Sequence, residues 1–309
     1  GGPPGQPTEE QRKAMLADLV PAPALLTNPA KLRGALRQER DALTDVRQYL
    51  GKQGLKFSER TLNAFHTALK VNDTSQLTVL AGVSGTGKSI LPRRYAEAMG
   101  IHFLQVAVEP RWDSPQDLLG FYNYVEQKYR ATDLARLLAH LDPWRSLDLP
   151  EGSPDRSKHM ALVLLDEMNL ARVEYYFSEF LSRLEARPAW RTELKLEDFK
   201  DAVIPVDIRG LESPPRLVPG HNVLFVGTMN DDESTQSLSD KVLDRGNVMQ
   251  FPAPKDFEPV AHRNPSQAAD AQSFDEWRGW VKEFGQLPGA AQDKARKTVS
   301  ELAGIMQGF

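Results

Sequence analysis

The stretch Gly82-Val83-Ser84-Gly85-Thr86-Gly87-Lys88-Ser89 leaves this chain few ways to fold. An apolar run, Leu77 to Ala81, leads into it, and a helical pattern begins near Gly87. The stretch matches G-x-x-x-x-G-K-[ST] in full, in the strand–loop–helix context that gives the pattern its physical sense. Glycines let the backbone curl until successive N–H groups point inward, and a helix N-terminus adds partial positive charge at the same spot. A loop of this kind cradles nucleotide phosphates, so Gly82, Val83, Ser84, Gly85, Thr86, Gly87, Lys88 and Ser89 are the candidate nucleotide-binding residues. Lys88 is expected to reach the β- and γ-phosphates, and the Ser89 hydroxyl to join a Mg²⁺ shell. Pro92 falls just past the helix positions where a missing N–H costs nothing, which predicts a local kink.

Four further apolar runs supply a sheet for the loop: Phe103 to Val108, Leu162 to Leu165, Val223 to Val226 and Val248 to Phe251. Continuous apolar strands separated by helices argue for an α/β fold with a parallel sheet covered on both faces. The third run ends in Asp166-Glu167, which places two carboxylates at the C-terminal edge of the sheet, where ligands bind in open α/β folds. Asp166 is the expected Mg²⁺ ligand beside Ser89, and Glu167 the group that polarises an attacking water. The fourth run ends in Gly227-Thr228-Met229-Asn230. Asn230 there either orients the lytic water or starts a turn. Arg245, in Leu243-Asp244-Arg245, reads from the residues alone as a solvated loop arginine.

The rest of the chain divides around this core. Residues 1–50 form a helical and partly disordered extension, Gly- and Pro-rich to Thr8 and then broken by Pro21, Pro23 and Pro29, with Lys31 to Leu50 its best helix. Ser58 to Leu69 predicts a helix capped by Ser58. Val173, Tyr176, Phe177, Phe180, Leu181 and Leu184 recur at helical spacing and read as core packing. Trp190 to His221 reads as an insertion with a hairpin from Val203 to Ile208 and Arg216 to Val218. Phe121, Tyr122 and Tyr124 read from the residues as local packing. Phe274 to Phe284 and Ala290 to Met306 predict helices. With no cysteine, disulfides and thiolate metal sites are excluded, and the six histidines lack ligand spacing. No run of about 18 apolar residues and no signal peptide appear, so a cytoplasmic protein without a membrane contact is expected. A net charge of −4 argues against tight DNA binding by the chain itself.

The set of phosphate loop, Asp166-Glu167, Asn230 and Arg245, in this order, resembles AAA+ ATPases. Finer signs resemble the branch of McrB-type restriction motors, MoxR-like chaperones, midasin and dynein. Ser114-Pro115-Gln116-Asp117-Leu118-Leu119-Gly120 looks like the Asp-Leu-Leu-Gly turn of that branch. Glu167-Met168-Asn169 resembles its Asp-Glu-x-Asn signature, and Gly227-Thr228-Met229-Asn230 the opening of the McrB hallmark. The chain departs from that hallmark at Glu233 and Ser234, where the family has Asp and Arg. The resemblance covers Leu77 to Phe251. It implies an AAA+ P-loop sheet domain at 51–255, with a parallel five-stranded sheet of order 5-1-4-3-2. It also implies the start of a helical lid at 256–309, which stops before a sensor arginine and reads as part of a longer protein.

The resemblance further implies a homo-oligomer, a hexameric ring whose central pore Phe121, Tyr122 and Tyr124 would face if they do not pack locally, hydrolysing Mg²⁺-bound ATP or GTP, with ATP preferred. Arg245 becomes the arginine finger given to the neighbouring subunit. The implied role is the motor of a McrB-like restriction system with a nuclease partner, reaching nucleic acid through that partner or a missing domain. The alternatives are a MoxR- or midasin-like remodeller of protein complexes, and a nucleotide-dependent scaffold with little hydrolysis, against which Glu167 argues.

Overall fold

In the computed structural model, residues 7–27, 29–147, 149, 153–208, 211, 213–230, 242, 244–251 and 270–306 are described. Five strands build one sheet: β1 (Leu77–Gly82), β2 (His102–Ala107), β5 (Ala161–Asp166), β8 (Val223–Asn230) and β9 (Gly246–Gln250). Their order is β2-β5-β8-β1-β9, every pairing parallel, which is the expected 5-1-4-3-2 arrangement. The three inner strands are buried along nearly their whole length, the two edge strands only in part. Side chains alternate between faces as a pleated strand requires. Ala161, Val163 and Leu165 join Val223 and Phe225 in one apolar cluster, while Leu162 and Leu164 join Leu224 and Val226 in the other.

Helices α1 (Glu9–Met15) and α2 (Ala24–Thr27) open the described chain, and α6 (Pro115–Leu119), α7 (Asp133–Leu141), α8 (Val173–Tyr176) and α9 (Ser178–Glu185) cover the first face. The aromatic stripe from Val173 to Leu184 is fully buried there, as its spacing predicts. Helices α3 (Glu39–Lys52), α4 (Glu59–Lys70), α5 (Ile90–Met99) and α10 (Phe274–Gly279) cover the second face. Ser58 caps α4 by accepting from Thr61 N at 3.0 Å. α5 runs unbroken through Pro92, its third residue; the first turn has N–H groups without intrahelical acceptors, so the predicted kink is not needed.

Local periodicity misread two segments and gave no reading of a third. The helix expected from Lys31 begins only at Glu39, because Leu32 instead forms a parallel bridge to Ala271. The helix expected to Phe284 ends at Gly279, with a short 3₁₀ turn at Phe284–Gln286. A hairpin of β3 (Gly120–Asn123) and β4 (Lys128–Ala131) follows α6, leaving Phe121, Tyr124 and Val125 exposed. The insertion hairpin is present as two-residue strands, β6 (Ile204–Pro205) and β7 (Arg216–Leu217).

Leu50 of the N-terminal extension shares an apolar cluster with α4, α5, Trp277 and Trp280. Residues 270–274 thread along the N-terminal edge of the sheet, where Gln272 N donates to Gly100 O at 2.9 Å and Phe274 N to Lys158 O at 2.9 Å. Helix α11 (Gly289–Met306) follows. Residues 252–269, including the first part of the expected lid, lie outside the described residues, as do Leu243 and residues 231–241.

Candidate active site

The C-terminal ends of β1, β5 and β8 lie side by side, and the predicted residues meet there. Gly82 is in register with Asn230, and Leu165 with Gly227. Gly82 takes φ +145°, and a Cβ on it would lie 2.4 Å from Phe251 O, so only glycine lets β1 enter the loop. Beyond it the Lys88 ammonium is almost fully buried and donates to Gly82 O at 2.8 Å and Val83 O at 2.6 Å. A phosphate oxygen, being charged, is a stronger acceptor than either carbonyl. Leu91 N donates to Gly87 O at 3.0 Å, so helical bonding reaches back into the loop.

Ser89 Oγ donates to Asp166 Oδ1 at 2.7 Å. A hydroxyl and a carboxylate in contact beside a phosphate loop are the hard oxygen donors that Mg²⁺ takes, so the residues fit that ion. Ser89 and Asp166 would hold it, and it would supply neutralisation of phosphate charge.

Asp166 has two further partners that the sequence did not single out. Thr228 Oγ1 donates to the same Oδ1 at 2.8 Å, and Gln105 Nε2 donates to Oδ2 at 2.5 Å. Arg93 in turn donates to Gln105 Oε1. Thr228 lies inside the Gly-Thr-Met-Asn motif, which was its only signal; the only signal for Gln105 was that it is the one polar residue in the run Phe103–Val108.

Glu167 adopts the left-handed conformation, φ 53° and ψ 47°, uncommon for a residue with a side chain. Three contacts hold it there. Its N–H donates to Thr228 Oγ1 at 2.8 Å, its carbonyl accepts from Leu170 N at 2.9 Å, and its Oε1 accepts from Asn230 Nδ2 at 3.1 Å. The carboxylate is otherwise exposed at the sheet edge. Asn169 fastens the turn to β8, donating through Nδ2 to Asn230 O at 3.0 Å and accepting from Asn230 N at 3.3 Å. Met168 packs so tightly that a Cβ on Gly227 would lie 2.2 Å from its sulfur. Asn230 is thus placed against the acidic pair and holds Glu167 directly.

Arg245 stands apart. Gly246 pairs with Leu77, the first residue of β1, whereas the phosphate loop starts at Gly82. Five strand steps, about 16 Å, separate those levels of the sheet. At the far edge Arg245 Nη1 forms an ion pair with Glu185 at 2.9 Å and donates to Ser182 Oγ at 3.4 Å.

The family model described as AAA domain (dynein-related subfamily) matches residues 78–246, more than half of the chain. Among solved structures, a candidate ATPase from Cytophaga hutchinsonii is similar at 16% identity with a TM-score of 0.41, over 69% of this chain and 52% of that one. The chain thus spans about half the length of that structure. A search of curated proteins returns no match.

Proposed function

Because the chain belongs to the AAA domain family, dynein-related subfamily, we propose that it hydrolyses a nucleoside triphosphate as one subunit of a ring, in the residue roles that follow. The observation that carries this reading is the convergence of Lys88, Ser89, Asp166, Glu167 and Asn230 on one sheet edge. Lys88 and the loop amides bind the β- and γ-phosphates. Glu167, aimed by Asn230, takes the proton of a water whose oxygen attacks the γ-phosphorus as the bond to the β-phosphate oxygen breaks. A pure binding scaffold has no need of that held carboxylate.

Arg245 lies too far from its own phosphate loop to serve it, which supports delivery to a neighbour's γ-phosphate. The Gly227-to-Asn230 motif supports a McrB-like restriction motor that works with a nuclease. The exposed Phe121, Tyr124 and Val125 on the β3–β4 hairpin favour the second reading, remodelling of protein complexes, since an exposed apolar tip suits contact with polypeptide. ATP is the proposed nucleotide.

Titration with fluorescent ATP and GTP analogues, followed by steady-state phosphate release, tests the reading. Lys88→Ala should lose most affinity. Glu167→Gln should bind as wild type and release phosphate at least a hundredfold more slowly, in keeping with a general base worth about 10²–10⁴ in rate. Turnover by Glu167→Gln near the wild-type rate would remove Glu167 from its role, and wild-type affinity in Lys88→Ala would move the nucleotide elsewhere.

A further inference from the structure

We infer that Glu185 is a positioning residue for Arg245, fixing that guanidinium at the subunit edge so that it meets the neighbour's γ-phosphate in one orientation. The inference rests on the reading of Arg245 as a group that acts on the adjoining subunit.

Three features of the fold carry it. First, Glu185 and Ser182 lie one helical turn apart on α9 and both engage the same nitrogen, Nη1 of Arg245. Among the described residues no side chain engages Nε or Nη2. One edge of the planar fork is therefore anchored, and the other can pair side by side with two oxygens of a phosphoryl group. Second, both partners are only part-buried, with side-chain exposures of 27% for Arg245 and 32% for Glu185. A pair so placed adds little to stability, yet it removes rotamer freedom from a long side chain that must act at a distance.

Third, the anchor itself is rigid. Two residues past Glu185, the buried Arg187 donates to Leu184 O at 3.0 Å, Gly220 O at 3.3 Å and Asn72 O at 2.7 Å, clamping the end of α9 to the bottom of the sheet. The other end of the α8–α9 segment starts just after Glu167-Met168-Asn169, which is tied to β8. One packed segment thus runs from the acidic pair of a subunit's own site to the arginine it offers next door.

The test is a double-mutant cycle on the full chain, with turnover, nucleotide affinity and thermal unfolding measured for Glu185→Ala, Arg245→Ala, the double variant and Glu185→Asp. Glu185→Ala should keep wild-type affinity and unfolding temperature while kcat falls roughly tenfold to a hundredfold, the scale of a small misplacement of a reacting group. Glu185→Asp should recover part of the loss. The double variant should be no slower than Arg245→Ala alone. Binding of ADP–aluminium fluoride, a mimic of the transferring phosphoryl group, should weaken in both single variants while binding of ADP does not. Normal turnover in Glu185→Ala beside a slow Arg245→Ala would overturn the inference, as would a multiplicative loss in the double variant. Normal turnover in Arg245→Ala would instead overturn the reading of the arginine itself.

Discussion

At the residue scale the site turns on how each polar atom of Asp166 and Glu167 is satisfied. Thr228 serves both at once, donating its hydroxyl proton to Asp166 and accepting the Glu167 N–H. It is 1% exposed, so water has little access to replace it. Thr228→Val keeps the shape and removes the hydroxyl, leaving the Glu167 N–H without its acceptor in a left-handed turn. Unfolding free energy should fall by about 1–3 kcal/mol, the usual cost of an unsatisfied group. Turnover should fall as well, because Glu167 loses one of its three restraints. Urea denaturation and phosphate release measure the two effects. If both stay at wild-type values, the hydroxyl neither holds the turn nor aims the carboxylate. The motif containing Thr228 was visible in the sequence, but its two contacts were not, since they join residues 61 and 62 positions apart.

At the element scale the inner strands were legible because each is an apolar run, broken only by Thr78 in β1, the pattern of a strand buried on both faces. The hairpin β3–β4 was not, because Gly120 to Ala131 mixes aromatic, charged and polar residues without clean alternation. Burial also sets what each strand contributes. Leu164 on β5 is fully buried, so Leu164→Ala should cost about 2–5 kcal/mol. Val248 on edge strand β9 is 40% exposed, and Val248→Ala should cost under about 1 kcal/mol. Denaturant titration of the two variants compares them directly, and equal losses would contradict the assignment of β9 to the sheet edge.

At the scale of the whole molecule, buried histidines make the fold sensitive to acid. Burial, and then the Arg187 charge, hold His221 down to about 3, and its Nε2–H donates to Pro188 O at 3.0 Å. Burial, then the neighbouring His159 and Arg156, hold His102 down to about 4. Burial would raise the Glu39 carboxyl, but hydrogen bonds from His66 and Lys70 outweigh it and bring it down to about 2. For each group the unfolded chain binds the proton more readily than the folded one. Their contributions are therefore full above the ordinary histidine and carboxylate ranges and are lost as pH falls, from about 6.5 down to 3 for His221 and from about 4.5 down to 2 for Glu39. Unfolding free energies measured across this range should decline with acid. His221→Gln should flatten the decline between pH 6.5 and 3 by up to about 1.4 kcal/mol per pH unit, the value of one proton. An unchanged slope would mean that His221 is not among the groups responsible.

The strand-to-loop-to-helix passage from Leu77 to the start of α5, the carboxylates at the end of β5 and the asparagine closing β8 were written in the sequence itself. Each depends on local spacing and on apolar runs that no other segment needs to complete. Tertiary structure alone decided that Thr228 and Gln105 share Asp166, and that residues 270–280 fold back along the sheet beneath α3 and α5. It also decided that Arg245 rests on Glu185 at the edge away from its own phosphate loop. These outcomes follow from which strands become neighbours and in what register, and that pairing is set by two buried faces closing together, not by the residues of any one segment.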